Sequence, residues 1–367
     1  MGILEIENRI FFCLSLGQIK IKIEMTGSAS HDIEITDYIG ANFINHFVIA
    51  HPDIHVYNVD KMDYCANEMS VQVRDKETYH FIRGDICNTD LIMHIMTTHD
   101  IDTVLNFAAC SHVDNSFGNS MTFTRNNVYG THNLLECARV YGKIEKFIHV
   151  STDEVYGEVS DSQCENAMLN PTNPYAATKA AAEFIAKSYL LSFGLPVIIT
   201  RGNNVYGKYQ YPEKLIPRFS MLLTKAEKLT IQGSGKNTRT FIHANDVAKG
   251  FETVLMKGFI GEIYNIGSRD EHSVLEVASL IVNLIKPGDS VDKHLSTVKD
   301  RDFNDTRYDI DCSKLHKLGW KPVIDFAEGF KETVEWYHKE AIPNGFWSDI
   351  KMEISDSNQD HPTGSLA

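Results

Sequence analysis

The feature that most constrains the fold is a regular alternation of short β-branched runs with longer stretches of helical periodicity. The apolar runs occur at 19–25, 54–60, 79–85, 103–109, 146–152 and 195–201. Helical patterns separate them, near 40–50 and in a long segment that begins near Tyr175. Strands joined in this order by crossover helices form a parallel sheet. We therefore predict an α/β fold, a Rossmann-like doubly wound parallel sheet, whose ligands lie at the carboxyl ends of the strands.

The pattern changes after Gly207, and the chain is longer than one average domain. Turn residues are frequent at 232–240, and the apolar segments around them are shorter. We predict a smaller carboxyl-terminal α/β lobe in this part of the chain. The predicted divisions are an amino-terminal extension (1–18), a Rossmann domain (19–207), a second lobe from which some segments return to that domain (208–347) and a disordered tail (348–367).

Charge and cysteine usage exclude several classes of protein. A net charge of -14 argues against a nucleic acid partner, because a phosphate-backbone binder needs a basic surface. The 7 cysteines are widely spread and include no C-x-x-C pair, so neither a disulfide framework nor a metal site is predicted. No apolar run approaches the roughly 20 residues that cross a bilayer. We expect a cytoplasmic protein without a membrane partner.

The turn after the first predicted strand departs from the usual dinucleotide-binding pattern. Gly27 and Gly40 would be its outer glycines, but serines such as Ser30 stand where glycines are usual, and the loop is enlarged at 28–39. Closely spaced glycines normally let backbone amides meet a pyrophosphate. Asp60 ends the second predicted strand, where a carboxylate can accept both ribose hydroxyls and would repel a 2′-phosphate. NAD is therefore favoured over NADP.

Other strand ends are predicted to line the same cofactor site. Asp85 follows the third strand and is placed to contact adenine, whereas the small side chains of Ala108 and Ala109 allow a close approach. The residues assigned to the cofactor are Gly27, Ser30, Ile39, Gly40, Asp60, Lys61, Asp85, Ile86, Ala108, Ala109, Asn127, Tyr175 and Lys179.

Tyr175 and Lys179 lie four residues apart and therefore on one face of a predicted helix. A nearby ammonium favours the phenolate, so the tyrosine can accept a proton from a hydroxyl group. Such pairs are common by chance, but this one follows a strand end that carries Thr152, Asp153 and Glu154. Thr152 is placed to bind a hydroxyl near the tyrosine. Adjacent carboxyl groups can hold different protonation states, so one can act as acid and the other as base.

Nine motifs together carry a resemblance to a known family. They are HVDNS (112–116), NVYGT (127–131), STDEVYG (151–157), NPYAATK (173–179), NNVYG (203–207), YPEKLIP (211–217), TRTFIHANDVA (238–248), YNIG (264–267) and DRDFNDTRY (300–308). From about Ile19 to about Trp320 the chain resembles the extended short-chain dehydrogenase/reductases, and among them the nucleotide-sugar 4,6-dehydratases. Epimerases share the tyrosine–lysine pair, whereas the Asp–Glu pair after Thr152 is typical of the dehydratases.

The resemblance implies a redox cycle without net oxidation. Tyr175, assisted by Lys179, takes the proton of the hydroxyl on sugar carbon 4 while a hydride passes to NAD, and the resulting ketone acidifies the proton on carbon 5. Glu154 removes that proton, Asp153 protonates the departing hydroxyl of carbon 6, and the hydride returns to carbon 6. The product is a 4-keto-6-deoxy sugar. With Thr152, these are the implied catalytic residues.

The resemblance assigns a further set of residues to a nucleotide-diphosphate sugar. Arg239 and Arg301 suit the diphosphate, because a guanidinium fork matches phosphate oxygens, and Asn265 would add a hydrogen bond nearby. The remaining assignments are His112, Asp114 and Ser116 to the sugar pocket, Asn204 to sugar and diphosphate, Glu213, Lys214 and Leu215 to the base, and Tyr308 to the same substrate site.

Several alternatives stay open from the sequence. The run at 300–305 resembles UDP-sugar dehydratases of plants and giant viruses, which favours UDP-glucose or UDP-N-acetylglucosamine over dTDP-glucose. The configuration at carbon 5 is either retained or, as in the dehydratase/5-epimerase branch, inverted. The Asp–Glu pair favours retention. A 4-epimerase or decarboxylase is one rival, and a catalytically silent NAD or nucleotide-sugar binding protein is another, because the glycine loop is irregular. By analogy with the family we expect a homodimer formed through the helix of Tyr175 and its neighbour.

Overall fold

The computed structural model describes residues 20–25, 38–62, 65, 68–300 and 305–347. Its strands are β1 (Lys20–Met25), β2 (His55–Asp60), β3 (Tyr79–Arg83), β4 (Thr103–Asn106), β5 (Lys146–Thr152), β6 (Val197–Gly202), β7 (Asn204–Tyr206), β8 (Leu229–Gln232), β9 (Thr238–His243), β10 (Ile263–Ile266), β11 (Asp270–Ser273) and β12 (Leu295–Val298). Its α-helices are α1 (Tyr38–Ala50), α2 (Thr89–Thr98), α3 (Val113–Gly118), α4 (Ser120–Phe123), α5 (Thr131–Tyr141), α6 (Pro174–Phe193), α7 (Leu215–Thr224), α8 (Ala244–Lys257), α9 (Val274–Ile285), α10 (Ser313–His316) and α11 (Phe326–Trp336). Short 3₁₀ turns occur at Glu68–Ser70, Asp153–Tyr156 and Val291–His294, and π-helical segments at Thr124–Gly130 and Tyr337–Ala341.

Seven strands form one sheet in the order β10-β6-β5-β4-β1-β2-β3, and every neighbouring pair is parallel. Helices α1 and α8 pack on one face of this sheet, and α2, α5 and α6 pack on the other. β1 has β2 on one side and β4 on the other, so the strand order reverses there. Ligands of such sheets bind outside the carboxyl ends of the strands at this reversal. The predicted doubly wound parallel sheet is confirmed.

Helix α6 begins and ends where its sequence supplies capping residues. The side chain of Asn173 accepts a hydrogen bond from the backbone N–H of Ala176, and Pro174 occupies the first turn, where no N–H is needed. Gly194 ends the helix in the left-handed conformation, with φ 70°. This start places Tyr175 in the first turn of the helix and the lysine of the motif one turn later.

Helices α4 and α5 are joined by the π-helical segment Thr124–Gly130 into one continuous helix. A side-chain carbon at Gly130 would overlap the side chain of Ile86, so glycine allows this helix to approach the loop after β3 closely. The π-helical segment buries the side chains of Asn126 and Asn127. It therefore directs two amides towards the carboxyl ends of the strands.

The segments after Gly207, together with β7, form two smaller sheets, and they also contribute to the large one. β9 pairs with β7 and β11, and β8 pairs with β12, around a separate apolar core that includes α7, α9 and α11. β10 pairs with β6 in the large sheet, and α8 packs against α1. The division of the chain at 207 stays a prediction. Among the described residues, no helix is long and apolar enough to cross a membrane.

Candidate active site

The end of β5 carries a polar turn that faces the start of α6. Thr152 is the last residue of β5, and its hydroxyl oxygen accepts a hydrogen bond from the backbone N–H of Glu154 at 3.3 Å. The same hydroxyl donates to Asp153 Oδ1 at 3.2 Å. This capped 3₁₀ turn fixes the directions of two consecutive carboxyl groups. Asp153 is only 3% exposed, and Glu154 is half-buried.

Tyr175 and Lys179 are both buried in the first turns of α6. The ammonium of Lys179 donates to the backbone carbonyl of Val150 in β5 at 2.5 Å, which anchors the helix to the strand that ends at Thr152. The ring of Tyr175 packs edge-on against Phe123, with centroids 6.4 Å apart. A buried ammonium favours an anion nearby, so this helix face suits a tyrosine that exchanges a proton.

The two carboxyl groups of the turn have perturbed acidity. Burial, followed by the charge of Glu154, raises the pKa of Asp153 to about 7. Burial also raises the pKa of Glu154, while the Asn173 amide and the Arg239 guanidinium oppose that rise. Near neutral pH Asp153 can therefore hold a proton beside a partner carboxyl group. This arrangement suits an acid and a base that act on adjacent carbons of one substrate.

Each carboxyl group also accepts a hydrogen bond from the amide of an asparagine that was not predicted as a site residue. Asn203 Nδ2 donates to Asp153 Oδ2 at 2.7 Å, and Asn173 Nδ2 donates to Glu154 Oε2 at 2.9 Å. The motifs NPYAATK and NNVYG contain these asparagines, but sequence spacing alone gives no sign that their amides reach the acids. Asp305 is a third residue not assigned from sequence, and its buried carboxylate accepts hydrogen bonds from the hydroxyls of Thr172 and Tyr308.

Acidic residues predicted for the cofactor lie at the carboxyl ends of β2 and β3. The carboxyl group of Asp60 is buried and accepts the backbone N–H of Met62 at 2.7 Å. The next residue, Lys61, donates to Asn126 Oδ1 at 3.1 Å, which ties β2 to the π-helical segment. Asp85 accepts the N–H of Cys87 at 2.8 Å. An open cavity of about 600 Å³ lies beside it, lined by Asp85, Cys87, Asn88, Thr89, Asp90 and Arg125.

Two of the residues assigned to the cofactor, Asn127 and Ile86, have side chains that contact the protein interior. Both amide hydrogens of Asn127 are used, in bonds to the carbonyl of Cys110 at 3.1 Å and to Thr178 Oγ1 at 2.9 Å, and its amide oxygen accepts the N–H of Cys110. Asn127 therefore joins the end of β4 to α6, and its contact with the cofactor stays a prediction. The side chain of Ile86 is fully buried in the apolar core beneath Gly130, so only its backbone can face a ligand.

The remaining cofactor residues are placed as follows. Ala108 is fully buried at the end of β4, and Ala109 is half-buried beside it. Ile39 and Gly40 lie in the first turn of α1. Gly27 and Ser30, as well as Arg301 of the substrate set, lie outside the described residues.

Several residues of the predicted substrate set approach one another across the two parts of the chain. Lys214 Nζ donates to the carbonyl of Ser111 at 3.0 Å, and Glu213 lies 4.0 Å from the imidazole of His112. Burial lowers the pKa of that imidazole. Asp114 and Asn204 are half-buried, and Leu215 is the first residue of α7. The loop after β4 and the segment before α7 therefore face each other over the cleft.

Arg239 links the substrate set to the carboxyl pair. Its guanidinium donates to the carbonyls of Thr238 at 2.7 Å and Asp305 at 3.0 Å and lies over the ring of Tyr308, 4.9 Å from the centroid. Its charge lowers the pKa of Asp153 and of Glu154, which means that both acids lie within its electrostatic reach. An anionic group bound here would sit beside the predicted reaction centre.

Two residues assigned to the substrate, Asn265 and Ser116, are buried and have hydrogen-bond partners within the protein. Asn265 is fully buried, and its amide donates to the carbonyls of Gln163 and Asp311, each at 3.0 Å, while its oxygen accepts the hydroxyl of Tyr156. With both amide hydrogens used, its side chain ties β10 to two other segments, and its contact with the substrate stays a prediction. Ser116 is also fully buried, and its hydroxyl donates to the carbonyl of Val113 at 2.6 Å within α3. Sequence spacing places both residues near the cleft but does not reveal these internal partners.

Comparisons with known proteins agree with this geometry. Residues 35–333 match the family described as GDP-mannose 4,6 dehydratase. A trifunctional UDP-glucose 4,6-dehydratase/UDP-4-keto-6-deoxy-D-glucose 3,5-epimerase/UDP-4-keto-L-rhamnose-reductase of Arabidopsis thaliana is 45% identical over 85% of this chain and 47% of its own length. The chain thus spans about half the length of this plant relative. A dTDP-D-glucose 4,6-dehydratase of Homo sapiens is 46% identical over 86% of this chain and 92% of its own.

Solved structures give the same result. A dTDP-glucose 4,6-dehydratase from Streptomyces venezuelae, with NAD bound, has a TM-score of 0.82 and 36% identity and covers 91% of this chain and 100% of its own. A UDP-glucuronic acid 4-epimerase from Bacillus cereus, in complex with UDP-glucuronic acid and NAD, has a TM-score of 0.76 and 28% identity, covering 87% of this chain and 99% of its own. On its motifs, its sheet and these similarities, the chain belongs to the GDP-mannose 4,6 dehydratase family.

Proposed function

We propose that this protein is an NAD-dependent nucleotide-sugar 4,6-dehydratase that converts a UDP-hexose to its 4-keto-6-deoxy form. The observation that carries the proposal is the pair of adjacent carboxyl groups, Asp153 and Glu154, at the carboxyl end of β5 next to the start of α6. An epimerase needs only the tyrosine–lysine pair, whereas elimination of water needs an acid and a base as well. The plant relatives, named for UDP-glucose, favour that substrate, with UDP-N-acetylglucosamine next and dTDP-glucose third.

The residues present fit NAD. Asp60 is the last residue of β2, and its buried carboxyl group can accept hydrogen bonds from the hydroxyls of a ribose. The buried ammonium of Lys179 lies against β5, on the other side of the strand-order reversal at β1. When bound, NAD supplies the acceptor and later the donor of one hydride. All the proton transfers are left to side chains of this protein.

Each proton transfer has a side chain suited to it. Tyr175 accepts the proton of the carbon 4 hydroxyl, and Lys179 stabilises the phenolate that prepares this step. Thr152 hydrogen-bonds the same hydroxyl and orients it. Glu154 then takes the proton from carbon 5, which the neighbouring ketone has acidified. Asp153, with a pKa of about 7, gives its proton to the hydroxyl that leaves carbon 6 as water.

Arg239 is proposed to hold the diphosphate, because a guanidinium fork matches phosphate oxygens and its charge also favours the ionised forms of Asp153 and Glu154. His112, Asp114 and Asn204 would contact the sugar, and Tyr308 would close the pocket beneath the arginine. The remaining proposed contacts are those of Glu213, Lys214 and Leu215 with the base and of Arg301 with the diphosphate. As the hydride returns to carbon 6, Glu154 gives its proton back to carbon 5. Retention at carbon 5 is favoured, because the same side chain takes and returns this proton on one face of the sugar.

We also propose that the protein is a cytoplasmic homodimer. Large apolar side chains are exposed along α6, namely Phe184 (61%) and Leu191 (81%), and Met121 and Tyr129 are exposed on the preceding continuous helix. Such exposed apolar faces mark interfaces between proteins. Light scattering after gel filtration tests this proposal, and a monomer at micromolar concentration would contradict it.

One experiment tests the proposed activity. The protein is incubated in parallel with UDP-glucose, UDP-N-acetylglucosamine and dTDP-glucose, and products are identified by mass spectrometry and NMR. We expect loss of one water and a 4-keto-6-deoxy sugar from a UDP substrate. An isomer of unchanged mass would instead indicate a 4-epimerase, the activity named for the Bacillus cereus neighbour. Absence of both products together with retained NAD would leave a binding protein.

A further inference from the structure

Asn203 lies at the corner between β6 and β7 and is 6% exposed. Its amide nitrogen donates to Asp153 Oδ2 at 2.7 Å, and its amide oxygen accepts the backbone N–H of Ser268 at 3.3 Å. Because the oxygen end of the amide is used by an N–H donor, the NH₂ end must face the carboxyl group. The contact is therefore a directed hydrogen bond from a buried amide to one specified oxygen of the acid.

The chain leaves room for this amide at a second point. Gly267 follows β10, and a side-chain carbon at this position would overlap Asn203 Oδ1. Only glycine fits at position 267, because the backbone after β10 passes directly beside the amide of Asn203. Three strand ends, those of β5, β6 and β10, meet at this one side chain.

We propose that Asn203 is a positioning residue for the elimination step: it holds Asp153 Oδ2 in place and stabilises the carboxylate that forms when Asp153 gives its proton to the leaving hydroxyl. This inference rests on the proposed function, which it deepens. In that step the O–H bond of the acid breaks, the proton joins the carbon 6 oxygen as its bond to carbon breaks, and water departs. The negative charge stays on Asp153, where the N–H of Asn203 points.

The charged groups around the acid agree with this role. Glu154 on the same turn disfavours the carboxylate of Asp153, and Arg239 from β9 favours it. The hydrogen bonds from Asn203 at 2.7 Å and from Thr152 at 3.2 Å also favour the carboxylate. Loss of the amide should therefore raise the pKa of Asp153 and make it a weaker acid.

The first test measures the acid without turnover. Infrared titration of protein labelled with [¹³C]aspartate follows the carboxyl band of Asp153, which is identified by its absence in Asp153→Asn. In Asn203→Ala the pKa of this carboxyl should rise by about 1 unit, the size expected for losing a hydrogen bond to a charged group. Gly267→Ala adds a methyl group that pushes the Asn203 amide away from Asp153, and it should also raise the pKa of the Asp153 carboxyl group.

Thr200→Val is the matched control. It changes a buried β6 side chain of similar size, three residues before the amide, and its hydroxyl has no hydrogen-bond partner in the described part of the chain. The band of Asp153 should titrate as in the wild type. If Asn203→Ala leaves the titration unchanged, the proposal is overturned. If this variant does not fold, Asn203→Ser, which keeps a small polar side chain but removes the amide, is judged by the same criterion.

The second test measures turnover. In Asn203→Ala, kcat should fall about tenfold, KM should change less than about twofold, and the alkaline limb of the kcat–pH profile should move to higher pH, because a weaker acid keeps its proton longer. A rise of KM alone would reassign Asn203 to substrate binding and overturn the proposal. A wild-type protein that dehydrates no nucleotide sugar would refute the proposed function, whereas the infrared titration would still decide whether Asn203 tunes Asp153.

Discussion

Replacing Asp153 by asparagine should stabilise the protein, and should do so more at high pH than at low pH. Asp153 is buried and raised in pKa from its ordinary 3.8 to about 7, first by burial and then by the charge of Glu154. The folded protein therefore holds a proton that the unfolded chain has lost. A group of this kind contributes stability that is fully present below pH 4 and is lost as the pH rises through about 7.

The size of the effect follows from the two pKa values. Their difference corresponds to about 4 kcal/mol of stability lost by the wild type between pH 4 and pH 8. Asparagine has nearly the same shape, cannot ionise and can still accept the amide of Asn203 through its oxygen. The free energy of unfolding of the variant does not fall in this way. The difference in this free energy between the variant and the wild type should therefore grow by up to about 4 kcal/mol from pH 4 to pH 8, a large part of typical domain stability.

Urea unfolding at half-unit pH steps from 4 to 8, followed by circular dichroism, measures this difference. Asp161→Asn is the matched control, because Asp161 is an exposed acid on the loop that follows the same turn, and its replacement should give a small difference without a trend. If the stability of Asp153→Asn relative to the wild type stays flat, or falls as pH rises, the assignment of a buried high-pKa acid is wrong.

Three further predictions concern the same region. Tyr175→Phe should abolish product formation while leaving the circular dichroism spectrum and the melting temperature nearly unchanged, because only the proton acceptor is removed; normal turnover would overturn its role. Glu154→Gln should oxidise carbon 4 but not lose water, so absorbance of the reduced cofactor should build up after substrate is added; normal product without that signal would count against Glu154 as base. Arg201→Leu should cost about 3–5 kcal/mol in urea unfolding, because it leaves the carboxylate of Glu183, bonded at 2.6 Å in the interior, without its partner; a loss below about 1 kcal/mol would refute that reasoning.

The large sheet could be predicted from the sequence because its signals are local. Most of its strands are short runs rich in apolar residues, such as the one that ends at Thr152, and α-helices separate β1 from β2, β3 from β4, β4 from β5 and β5 from β6. The start of α6 was also readable, since the Asn–Pro pair before Tyr175 is a typical helix cap. These features depend only on residues that are close together in the sequence.

The short strands of the second lobe and the contacts within the site could not be predicted in this way. β7, β9 and β11 have at most six residues each, and their pairing depends on chain segments far apart in sequence. The bonds from Asn203 to Asp153 and from Asn173 to Glu154 join residues 50 and 19 positions apart. The internal partners of the Asn265 amide could not be predicted for the same reason, because they are about 100 and 46 residues away in sequence.

The position of β10 has a consequence for how the protein must be made. This strand is synthesised after residue 262 and yet completes the sheet whose other six strands precede residue 203. Until it emerges from the ribosome, β6 is an open sheet edge with unpaired amides and carbonyls, a surface that invites aggregation. We therefore expect a chain cut at 207, which lacks β10, to be recovered mainly as insoluble protein.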